Sequence, residues 1–141
     1  MVRLRKGYAD FRARDTELVE VGPNLPALAK RAFRHYLGGR DLEFPYLCDA
    51  EWGVHKRYGV YLLNSQEEAD MERVKPQALA EGGGPIPPEP TEDRRLSKTP
   101  MAHGLFILDR DGVIQYTHIA APAPPLPTVP SLLAVLDDLP R

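Results

Sequence analysis

The sequence predicts an α/β domain, and three observations carry that prediction. Leu4, Tyr8 and Phe11 recur at helical spacing among charged residues, which predicts an amphipathic helix over residues 2–14. Residues 16–21, Thr-Glu-Leu-Val-Glu-Val, alternate and then stop at Gly22-Pro23, which predicts a strand. Near the other end, residues 104–108 and 113–119 are two apolar runs around Asp109-Arg110-Asp111-Gly112. Gly112 can supply the positive φ that a tight reversal needs, so these runs read as a hairpin.

The elements between follow in order. Asn24 can cap a helix with Pro26 in its first turn, an apolar stripe of Leu28, Ala32, Phe33 and Tyr36, and a stop at Gly38-Gly39. Residues 44–48 form a short extended run. Asp49 can cap a helix over residues 50–58 that Gly59 ends, and residues 60–63 are extended again. Residues 65–103 break the pattern. Some helix fits within 66–79, but Gly82-Gly83-Gly84-Pro85-Ile86-Pro87-Pro88-Glu89-Pro90 fits neither a helix interior nor a central strand. The whole stretch therefore reads as a loop insertion. After the hairpin, Ser131 can cap a last helix carrying Leu132, Leu133, Leu136 and Leu139.

The totals bound the function. The 141 residues make one domain, residues 1–141, with 43% apolar and 27% charged residues, an ordinary globular balance. A net charge of −2 gives no basic footprint for nucleic acid. The charged beginning of the chain lacks the apolar run of a signal peptide, and no stretch is long and apolar enough to span a bilayer. Cys48 is the single cysteine, so no internal disulfide forms, and a reducing cytoplasm is the expected location.

Four stretches, in order, resemble the peroxiredoxin-like proteins of the alkyl hydroperoxide reductase and thiol-specific antioxidant family. Residues 8–24 resemble that family's first helix and following strand. Phe44-Pro45-Tyr46-Leu47-Cys48-Asp49 resembles its FP-x-L-x-D strand, and Tyr58-Gly59-Val60 its YGV. Residues 106–114 resemble its F-x-x-D-x-x-G-x-I hairpin. The resemblance implies a thioredoxin-like fold: a central mixed sheet flanked by helices, closing with a ββα unit and carrying a long Pro-rich insertion. It also implies thiol-dependent reduction of peroxides or disulfides, with a thiol reductant as partner.

The departures are at the chemistry. The family places its peroxidatic cysteine in the first turn of the opening helix, where the helix terminus and an arginine stabilise the thiolate. The opening helix here holds no cysteine, and Ala102-His103 stand where the family tends to carry an arginine. The family's preceding strand, which lies mid-sheet between the strands matching residues 16–21 and 104–108, has no match either. The expectation is an N-terminally truncated, catalytically degenerate member. Its sheet closes by direct pairing of the flanking strands or by a segment from another subunit of a homo-oligomer, unless Met1 is an internal start.

Among candidate residues, Cys48 is the one that could serve as a catalytic nucleophile. It reads first as a small apolar residue at a strand end, and a redox role needs His55 to lower its pKa. His35, His55, His103 and His118 lack zinc-ligand spacings, and Cys48, Asp49 and His55 make only a weak metal set, so no metal or cofactor is expected. Asp109 and Asp111 resemble a calcium loop superficially, but strands flank their turn. Asp93, Arg94, Arg95 and Lys98 read as solvated charge, and Trp52 and Tyr58 as core or groove aromatics. A non-enzymatic alternative is a binding or assembly module whose recognition element is the Pro-rich segment 82–90.

Overall fold

The computed structural model describes residues 2–27, 29–30, 42–82, 101–121 and 126–139. Helices α1 (Val2–Lys6) and α2 (Tyr8–Arg12) open the chain, followed by strand β1 (Glu20–Gly22) and strand β2 (Tyr46–Cys48). Helices α3 (Gly53–Arg57) and α4 (Ser65–Gly82) precede the hairpin strands β3 (His103–Leu108) and β4 (Ile114–Ala120), and α5 (Val129–Asp138) closes the described chain. The class is mixed α/β, as the periodicities imply.

The expected single opening helix is two, broken at Gly7. Glycine is a poor helix residue, and here it is also needed. A Cβ at position 7 would lie 2.6 Å from Val129 Cγ1, so the glycine lets α5 come close to the opening helices. Phe11 and Leu132 are both buried. The segment ends in a Schellman pair, Asp15 N–H to Arg12 O at 3.0 Å and Thr16 N–H to Phe11 O at 3.1 Å, with Asp15 at φ 57°. Arg14 forks onto Asp137 of α5 at 2.8 and 3.0 Å.

β1 and β2 pair in parallel, Glu20 with Tyr46, Val21 with Leu47 and Gly22 with Cys48. The strand expected over 16–21 is therefore shorter and displaced. Glu20 N–H reaches Pro45 O at 3.0 Å, but a proline returns no donor, so the ladder cannot extend toward Thr16. Pro26, Ala27, Ala29 and Lys30 are helical, with Ala29 N–H bonded to Leu25 O, which fits a helix beginning after Asn24. Its predicted stripe and its Gly38-Gly39 stop lie outside the described residues.

The hairpin agrees closely with expectation. β3 and β4 run antiparallel from His103 opposite Ala120 to Leu108 opposite Ile114, with an irregularity between Ile107 and Leu108. Gly112 takes φ 80° in the turn. Asp109 Oδ1 accepts from the N–H groups of Asp111 and Val113 at 3.0 and 2.9 Å, and Oδ2 from the Gln115 amide at 2.6 Å. Those bonds, the Val113 one foremost, hold the Asp109 carboxyl below its ordinary range. Its carboxylate oxygens serve the turn.

The expectation of one central mixed sheet is not what the described residues form. They make two separate two-stranded sheets, β1–β2 and β3–β4, and β1 does not pair with β3. Of the extended residues expected over 60–63, Leu62 makes a single bridge to Met101, and Tyr61 O accepts from Ala102 N–H at 2.9 Å. Val60 and Leu63 nevertheless turn inward, and with Ala102 and Ala121 form a core against which Met71, Met101, Phe106 and Ile119 pack. The stretch read as an insertion begins with α4, whose helix runs from Ser65 through Gly82. Asn64 caps it, accepting from Gln66 and Glu67 N–H at 3.0 Å each, while Glu67 Oε2 accepts from Asn64 N–H at 2.9 Å.

The last helix starts earlier than Ser131. Thr128 is its N-cap, its hydroxyl accepting from Ser131 N–H at 3.3 Å, and Pro130 stands in the first turn. Ser131 Oγ instead donates back to Thr128 O at 2.8 Å.

Candidate functional site around Cys48

The end of β2 brings the chain's single thiol next to a largely enclosed Asp–His pair. Glu20, Gly22, Tyr46 and Cys48 alternate onto one face of the parallel pair, since the register sets Glu20 opposite Tyr46 and Gly22 opposite Cys48. The Tyr46 ring lies across Gly22 so closely that a Cβ there would run into its hydroxyl. Burial, then the charges of Glu20 and Cys48, push the Tyr46 phenol up to about 12. Burial likewise pushes the Glu20 carboxyl up. Cys48 is half-buried and free, with acidic groups as its neighbours on this face.

Asp49 follows immediately and is tied to β1, its N–H donating to Gly22 O at 2.8 Å. The chain then turns through Ala50 and Glu51 to Trp52, which takes a left-handed φ of 65° and starts α3. The helix expected from residue 50 is thus delayed to Gly53. Trp52, not Asp49, holds the N-cap position, yet Asp49 still reaches the first turn: Oδ2 accepts from His55 N–H at 2.9 Å across the intervening turn and lies 2.7 Å from His55 Nδ1. Both side chains are nearly closed off, with 8% of His55 and 11% of Asp49 exposed. Burial raises the Asp49 carboxyl, but the His55 backbone and ring bonds outweigh it, and the carboxyl ends below its usual range. The Trp52 ring stands beside the imidazole, 5.7 Å between centroids. Gly59, at φ 76°, ends α3 with Val60 N–H on His55 O at 2.9 Å.

The redox and metal readings of Cys48 both call on His55, whose placement is defined by Asp49. Activation of the thiol calls for His55 as its partner, and His55 Nδ1 is engaged by Asp49 instead. Among the described residues, no three histidine, cysteine or carboxylate side chains converge as a metal set would. The Asp–His pair can orient an imidazole and accept or store a proton, and structurally it clamps β2 to α3.

Elsewhere, His118 and His103 share one face of the hairpin at diagonal positions, and His118 Nε2 is buried without a hydrogen-bond partner among the described residues. Tyr58, half-buried, packs edge-on against Phe106, 5.0 Å between centroids. His35 and the segments holding Asp93, Arg94, Arg95, Lys98 and residues 83–90 lie outside the described residues. Sequence reading missed Glu20 and Tyr46 as companions of the thiol. Their alternation with Gly22 and Cys48 was visible, but the register that joins the two strands was not. No described helix is long and apolar enough to cross a membrane. No family model, curated protein or solved structure matches the chain.

Proposed function

We propose that this chain is a peroxiredoxin-like domain of the thioredoxin type that has no thiol peroxidase chemistry of its own and acts as a binding or assembly module. The order of elements supports the reading: an opening helix, a strand, a helical connection, a parallel strand, then a hairpin and a closing helix. The observation that carries the loss of chemistry is the setting of Cys48. Its thiol lies on a sheet face with Glu20 and Tyr46, two acidic side chains. The opening helices, where the resembling family keeps its nucleophile, contain no cysteine.

Hydrogen peroxide consumption with dithiothreitol as reductant tests this directly. Background rates are expected for the chain and for Cys48→Ser alike. A rate above background that Cys48→Ser abolishes would establish a Cys48 enzyme instead. The assembly half of the proposal takes a second copy of the chain as partner, its strand extending one of the two-stranded sheets. A two-stranded sheet is marginal in isolation, and extension adds ladder bonds. Light scattering at several concentrations is expected to give a dimer mass; a monomer throughout would remove that half.

A further inference from the structure

We draw no further inference here: the strongest candidate, the outer edge of β3 with no charged residue along it, adds nothing to the assembly already proposed, because nothing in the structure shows what covers it.

Discussion

The two sheets of this protein are built by opposite means. β3 and β4 adjoin in sequence and register over their length around a turn that Asp109 and Gly112 hold in shape. β1 and β2 are far apart in sequence, share only the three pairs from Glu20–Tyr46 to Gly22–Cys48, and stop where Pro45 withholds a donor. A hairpin needs little loop closure, whereas a parallel pair must first close a long crossover. The short pair is therefore anchored by side chains at its end. Asp49 continues its ladder and then clamps His55, so what looks like a strand terminus is also the foundation of α3.

Removing that clamp is the sharpest way to break the contrast, and Asp49→Ala is expected to have the largest effect. It leaves the buried His55 Nδ1 and a helix N–H without their acceptor, a loss of about 1–3 kcal/mol in chemical denaturation. The pH dependence follows from the lowered Asp49 carboxyl. The unfolded chain takes up this proton first, near the ordinary value of 3.8, so the stabilisation is complete above that pH and drains away as pH falls through the lower, folded value. Asp49→Asn should flatten this acid limb in a denaturation series; an unchanged limb would show that the clamp contributes nothing.

A second comparison puts the same methyl group into each sheet. At Gly104 a Cβ would meet Val60 Cγ2 at 2.7 Å and Phe106 Cε2 at 2.9 Å. Gly104→Ala should therefore cost about 1–3 kcal/mol through overpacking. At Gly22 the obstacle is the far end of the Tyr46 side chain, which can swing aside. Gly22→Ala should cost less, but should release the phenol. Its titration, followed by ultraviolet absorbance, should fall from about 12 toward the ordinary 10.0. The wild-type phenol keeps its proton longer when folded, so stability should decline as pH rises above 10.0. Equal costs at the two glycines would erase the distinction between the sheets.

The smallest effect expected is a gain. Asp15 occupies the left-handed position that ends the opening helices, and its ion pair with Arg110 at 2.6 Å leaves both side chains about four-fifths exposed. Glycine relieves the backbone, and a pair that exposed contributes little. Asp15→Gly should raise stability by about 0.5–1 kcal/mol, read as a higher denaturation midpoint. A loss would mean that the tie between this turn and the hairpin matters more than its backbone strain.

Much of the fold was legible residue by residue. Gly112 marked the hairpin turn, Gly59 the end of α3, and the Leu132 stripe the last helix, because each is a local consequence of dihedral freedom, capping or periodicity. Less of the candidate site was legible. Asp49 was recognisable as a residue of the helix start, but the reach of its carboxylate to His55 depends on Trp52 entering the left-handed region. The break at Gly7 depends on Val129, a residue from the far end of the chain.

By itself, then, the sequence determined the α/β class, the hairpin with its turn, and the absence of a thiol from the opening helix. Each rests on residue identity or on interactions spanning a few positions, and needs no distant partner. Tertiary structure alone decided the register that sets Glu20 and Tyr46 beside Cys48, the pairing of Asp49 with His55, and the division of the strands into two sheets. The first and last of these turn on which distant segments meet, and the Asp49–His55 pairing on the turn at Trp52 between them. Packing and backbone hydrogen bonding choose among pairings that the period of two leaves equally open.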